Sequence, residues 1–155
     1  MGFKRRARVL FLCTHNSARS QMAEAWARRL GADWVEAHSA GTAPGALHPL
    51  AVRVMQEAGI DLADHHPKPV SDERLAWADL VVTVCAEAER ACPALPGHVQ
   101  KKHWAVDDPA AVAGDAATRI AAFRAARDAL RARVEGLLGG LRMLARSDGG
   151  APPAR

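Results

Sequence analysis

Two short apolar runs, each ending in polar residues that lead into helix-forming sequence, constrain this chain more than any other feature. The first, residues 8–12, reads Arg-Val-Leu-Phe-Leu; a polar loop follows, and residues 20–30 then carry helix formers with apolar side chains at helical spacing. The second, residues 79–85, reads Asp-Leu-Val-Val-Thr-Val-Cys and is rich in β-branched residues, as a buried strand should be. Between them lie a second strand over residues 34–37, closed by Ser39-Ala-Gly41, and a helix from Pro49 to Ala58 that stops at Gly59. A short helix capped by Ser71 runs to Trp77. A last strand over residues 102–106 and a long helix over residues 115–138 complete the pattern. Strands alternating with helices imply an α/β fold: a four-stranded parallel sheet with right-handed crossovers and helices on both faces. Ligands of such sheets bind outside the C-terminal strand ends, where Cys13, Cys85 and Asp108 all fall.

At 155 residues the chain fits one domain, expected over residues 1–145, with a disordered tail over residues 146–155, where paired Gly and paired Pro occur. No internal repeat is visible. The apolar stretch after Lys4, Arg5, Arg6 and Arg8 is too short to span or target a membrane, so a cytoplasmic protein without a membrane partner is expected. The net charge is +4 and the isoelectric point about 9.4, yet the arginines interleave with Glu and Asp rather than forming a patch. Small anions suit that charge, and no nucleic-acid partner is expected. Three cysteines, an odd number, do not form a disulfide framework in a reducing compartment, which leaves catalytic or redox use open. His65, His66, His98 and His103 do not combine with them in a zinc spacing. The four tryptophans are expected in the core or between helices.

The sequence Cys13-Thr14-His15-Asn16-Ser17-Ala18-Arg19-Ser20 lies between the first strand and the first helix. A loop wrapped into a helix N-terminus aims several backbone N–H groups at one point, and the helix dipole adds positive potential, so a tetrahedral oxyanion fits there. Arg19 adds a planar, bidentate clamp. The same field favours a Cys13 thiolate and makes it the nucleophile, with Ser20 able to donate to its sulfur. Cys85 and Cys92 flank Ala-Glu-Ala-Glu-Arg-Ala, a strong helix former. Seven helical residues advance about 10.5 Å, whereas disulfide-bonded Cα atoms lie about 4.4–6.8 Å apart, so the two thiols bond only if that helix unwinds. Pro93 and Pro96 limit its continuation.

These motifs, with Gln21-Met-Ala-Glu24, Ser39-Ala-Gly41, His103-Trp104 and Asp107-Asp108-Pro109 in order behind them, resemble the low-molecular-weight tyrosine phosphatase superfamily. Within it the chain is similar to the thioredoxin-coupled arsenate reductases, over roughly residues 9–138. The phosphatases of this fold usually have Pro where Gln21 stands, and commonly have aromatic residues where Ala110 and Ala111 follow Pro109; this chain has no Tyr at all.

The resemblance implies a relay. Cys13 attacks arsenate held by residues 14–20 while Asp108 protonates the departing oxygen; Cys85 then attacks Cys13 and releases arsenite, and Cys92 resolves the product into a Cys85–Cys92 disulfide. Thioredoxin is the implied external reductant, ahead of glutaredoxin with glutathione, and no bound cofactor is implied. Asp107 is expected to act only as a local turn cap. Several relatives hold potassium beneath the loop at positions matching Asn16, Glu24 and Ser39 with an acidic residue; here that last position is Lys68, whose ammonium would replace the ion. The plainer alternative makes Lys68 a surface residue between two prolines. Ala18 stands where some relatives carry an extra cysteine, and His15 where glycine is commoner. A phosphatase for phosphotyrosine or small phosphomonoesters is the competing reading, and a non-catalytic anion-sensing or thioredoxin-binding module a remote one. A monomer is expected.

Overall fold

The computed structural model describes residues 5–146 and 151–153. Strands β1 (Ala7–Cys13) and β3 (Leu80–Thr83) pair in parallel at the centre of a four-stranded sheet, with β2 (Val35–Gly41) outside β1 and β4 (Gln100–His103) outside β3, giving the order β2-β1-β3-β4. The central pair is apolar because neither of its faces meets water: Leu10, Phe11, Leu12, Val81 and Val82 are all fully buried. β4 is the opposite, an edge strand of Gln100, Lys101, Lys102 and His103 that is exposed throughout, with charge that discourages pairing to another chain.

The connections are helical. Helix α1 (Arg19–Gly31) links β1 to β2; α2 (Pro49–Glu57) and α3 (Asp72–Trp77) lie between β2 and β3; α4 (Ala86–Ala91) links β3 to β4; a 3-10 turn (Pro109–Ala111) and α5 (Ala116–Arg146) follow. With this strand order, right-handed crossovers put α1 on one face and α3 and α4 on the other. Helix α5 packs along α1 and α2, while α3 and α4 rest on β1. Trp26, buried in α1, donates from Nε1 to Arg127 O of α5 at 3.1 Å, and Leu138 lies directly against Gly31. Trp26 and Trp104 are buried and Trp34 and Trp77 partly so, as expected of packing residues.

Several boundaries differ from the sequence reading, and β3 is residues 80–83 rather than 79–85. β2 extends through Ser39-Ala-Gly41, because those residues complete the β1 ladder down to Cys13 opposite Gly41. The last strand is residues 100–103, not 102–106: its partner β3 ends at Thr83, opposite His103, so the ladder runs out before Ala105. Helix α5 continues through Gly139 and Gly140, well beyond residue 138, to Arg146. The buried Leu138 and Ala145 give that last stretch an apolar face despite the two glycines. Arg146 is therefore helical backbone rather than tail; of the expected tail, residues 147–150 and 154–155 lie outside the described residues, and residues 151–153 are irregular. Among the described residues no helix is long and apolar enough to cross a membrane.

Candidate active site

Cys13 is the last residue of β1, and the chain curls over the next five residues before α1 begins. The direction of each peptide in that curl is set from outside. Thr42 N–H donates to Cys13 O at 3.1 Å, Ala43 N–H to Thr14 O at 2.8 Å, Gly45 N–H to His15 O at 3.0 Å and His48 N–H to Ser17 O at 2.9 Å. Gln21 Nε2 donates to Asn16 O at 3.1 Å. With its carbonyls tied outward, the planar peptides turn the loop's N–H edges toward the concave side. Two residues make the curl possible. Asn16 takes a left-handed φ of 51°, a conformation Asn tolerates. At Gly41 a Cβ would sit 2.6 Å from Thr14 O and 3.0 Å from Asn16 N, so no side chain fits where β2 meets the loop.

The Cys13 sulfur is 2.8 Å from Ser20 Oγ and accepts from Asn16 N–H at 3.2 Å. Asn16 Nδ2 donates to the same Ser20 oxygen at 2.7 Å, which leaves the hydroxyl proton of Ser20 for the sulfur. A sulfur that only accepts is the environment of a thiolate. Arg19 opens α1 and reaches across the mouth: Nη1 donates to Val106 O at 2.9 Å and Nη2 lies 3.8 Å from Asp108 Oδ2. Asp108 thus stands on the rim, half exposed, with one oxygen toward Arg19 and the other accepting from Ala110 N–H at 3.0 Å. The turn-capping role expected of Asp107 belongs to Asp108, because the 3-10 turn starts at Pro109 and only the preceding residue is placed to cap it.

Cys85 sits two residues beyond β3 and caps α4, its sulfur accepting from Ala88 N–H at 3.3 Å. On the loop side the sulfur is 3.4 Å from Thr14 Oγ1, and that hydroxyl donates to Glu87 Oε2 at 3.2 Å. So the second thiol lies against the anion loop, and Glu87, which the sequence reading did not single out, lies beside it. Cys92 ends α4 at its other end and is half-buried. Burial raises its pKa, partly opposed by Lys101. All three cysteines are free and α4 is intact, a fully reduced arrangement. Glu89 binds α4 to the sheet, accepting from Thr83 Oγ1 at 2.8 Å and pairing with Lys101 at 3.1 Å.

Beneath the loop is a buried charge cluster. Glu24 accepts from Ser39 Oγ at 2.9 Å and faces Lys68 Nζ at 3.7 Å on one oxygen; the other lies 3.1 Å from His65 Nδ1 and 3.6 Å from Arg28 Nη1. Burial opposes ionisation of Glu24, but the His65 hydrogen bond and the charges of Arg28 and Lys68 outweigh it and hold the carboxyl below the usual range. Lys68 is no surface lysine. Its backbone N–H donates to Asn16 Oδ1 at 3.0 Å, and its ammonium is 3.5 Å from Ser39 Oγ. Glu24 and Ser39, two of the three residues matched to a potassium site, thus face the Lys68 ammonium, and the third, Asn16, accepts from the Lys68 backbone N–H. Among the described residues no three His, Cys, Asp or Glu side chains converge as a metal site.

The family model for low molecular weight phosphotyrosine protein phosphatases matches residues 8–147. An arsenate reductase of Bacillus licheniformis is 43% identical over 128 residues, covering 82% of this chain and 91% of that protein. The structure of a thioredoxin-dependent arsenate reductase of Corynebacterium glutamicum superposes with a TM-score of 0.72 at 26% identity, covering 92% of this chain and 65% of that one. An arginine phosphatase of Geobacillus stearothermophilus superposes with a TM-score of 0.73 at 25% identity, covering 91% and 96%. Sheet order, the Cys13–Arg19 loop and this match over nearly the whole chain agree: the chain belongs to the low molecular weight phosphotyrosine protein phosphatase family.

Proposed function

We propose that this chain reduces arsenate to arsenite by a three-thiol relay and is returned to its starting state by thioredoxin, acting as a cytoplasmic monomer. The observation that carries the reading is the place of Cys85: a second thiol held against the anion loop by Thr14, with a third, Cys92, at the far end of the helix that Cys85 begins. Hydrolysis of a phosphoester needs neither.

Arsenate binds in the cup formed by residues 14–20, its negative charge met by loop N–H groups and Arg19. Cys13 attacks arsenic, and Asp108 gives a proton to the oxygen that leaves. Cys85 attacks the Cys13 sulfur; the sulfur–arsenic bond breaks with its electrons on arsenic, arsenite departs and a Cys13–Cys85 disulfide remains. Cys92 then attacks Cys85, which requires α4 to unwind because the intact helix holds the two residues too far apart. The surface disulfide so formed suits a dithiol reductant. Potassium has no part in this scheme.

A coupled assay tests it: NADPH consumption with arsenate, thioredoxin and thioredoxin reductase, run beside glutaredoxin with glutathione. Arsenate-dependent turnover with thioredoxin, lost in Cys13→Ser, Cys85→Ser and Cys92→Ser alike, is expected. Repeated turnover of Cys92→Ser at the parent rate would sink the relay. Phosphomonoester hydrolysis is the second reading, favoured by the shared loop and rim Asp108. Brisk para-nitrophenyl phosphate turnover that survives loss of Cys85 and Cys92, without arsenate reduction, would decide for it.

A further inference from the structure

The relay leaves one proton without a destination. Cys85 is a better nucleophile without its proton, and Cys85 touches Thr14 rather than a base. The geometry points to Glu87 as the group that takes that proton through the Thr14 hydroxyl, and so sets the rate at which Cys85 attacks Cys13. This rests on the three-thiol reading above.

The direction of the chain of hydrogen bonds carries the argument. Glu87 Oε2 accepts from Thr14 Oγ1 at 3.2 Å, so the single hydroxyl proton of Thr14 points at the carboxylate. The Thr14 oxygen then faces Cys85 Sγ, 3.4 Å away, only as an acceptor, and the partner must be the S–H. Moving two protons one step each leaves Cys85 as thiolate, Thr14 unchanged and Glu87 protonated. The thiolate is met at once by Ala88 N–H, 3.3 Å from the sulfur at the start of α4. It attacks Cys13 Sγ: one S–S bond forms, the bond from Cys13 to its substituent breaks, and the electron pair leaves with the substituent. Glu87 is exposed and gives its proton to water afterwards. It acts through Thr14 and touches neither sulfur.

Other charges bear on this pair. Arg19 Nη1 lies 3.4 Å from Val84 O, immediately before Cys85, with Asp108 beyond it. His15 follows Thr14 in the loop, its Nδ1 3.0 Å from Ala43 O. Cys13 precedes Thr14, and Glu89 and Arg90 share α4, with Glu89 turned to Thr83 and Lys101. These groups are present in parent and Glu87 variant alike, so the comparison of the two reports the loss of the Glu87 carboxylate.

The resolving step can be watched without arsenate. In Cys92→Ser, a Cys13–thionitrobenzoate mixed disulfide is formed with Ellman's reagent, and release of the second thionitrobenzoate reports attack by Cys85. Glu87→Gln is expected to slow that phase about tenfold near neutral pH, because the proton of Cys85 then has no carboxylate to receive it. The deficit should close in strongly alkaline solution, where hydroxide takes the proton and no acceptor is needed. Glu87→Ala should behave alike, and the first phase, attack by Cys13, should not change in either. Equal rates near neutral pH would overturn the proposal, as would a deficit of the same size at every pH, which is the mark of a merely structural role. Arsenate turnover of the parent is measured alongside: its absence would end the arsenate reading, while the mixed-disulfide rates would still decide the role of Glu87.

Discussion

Ser20 illustrates how much one hydroxyl can do. It donates to the Cys13 sulfur while accepting from Asn16, so Ser20→Ala removes a donor and orphans an amide at once. Hydrogen bonds to charged groups contribute about 1.5–3 kcal/mol, so alkylation of Cys13 by iodoacetamide near neutral pH should slow by roughly tenfold or more. Glu24 is the second such residue. Its carboxyl lies below the ordinary range in the folded protein, so its stabilising contribution is present above the unfolded value and lost as pH falls through the folded one. Denaturation followed across the acid range should show this loss in the parent and a flatter profile in Glu24→Gln. Lys68 extends the argument. Since its ammonium already faces Glu24 and Ser39, potassium and sodium chloride should give the same melting temperature; a clear rise with potassium alone would show that an ion still enters.

At the scale of the element, α4 is short, capped at its start by Cys85 and fastened to the sheet by Glu89. Six helical residues have little stability of their own, so that fastening and the buried Ala88 hold the helix in place. Cys92, its pKa raised by burial, is a poor nucleophile until the helix opens. Thr83→Val keeps the shape of the strand but removes the donor to Glu89. Amide exchange within α4 should then quicken, and in oxidised protein the Cys85–Cys92 disulfide should form faster; unchanged exchange would mean that Glu89 does not restrain the helix. The sequence marked α4 and its two cysteines clearly, through helix propensity and spacing. Its fastening was not legible, because Thr83 and Lys101 come from two other strands.

The whole molecule depends on α5 laid across α1 and α2, which holds the helix carrying Arg19 and Ser20 against the sheet. Leu138 is 1% exposed and rests on Gly31, the last residue of α1. Leu138→Ala should lower the unfolding free energy by about 2–5 kcal/mol in urea titration, with anion binding retained in the folded fraction. Such a cost would also show that residues beyond Gly136 belong to the core.

The sequence by itself determined the alternation of strands and helices, the anion loop, and the three cysteines with their spacing. Each is local: period of apolar residues, propensity and loop chemistry are written within a few neighbouring positions. Where β4 and α5 ended was decided elsewhere, by the end of the β3 ladder and by the face that α1 offered. The same holds within the site. That Lys68 is half-buried against Glu24 and that Glu87 reaches Thr14 depend on segments far apart in the chain, 73 residues apart in the second case. Such pairings have no period and no motif; they exist because the sheet places the C-terminal ends of β1 and β3 side by side and folds residues 42–48 and 65–68 over the same loop.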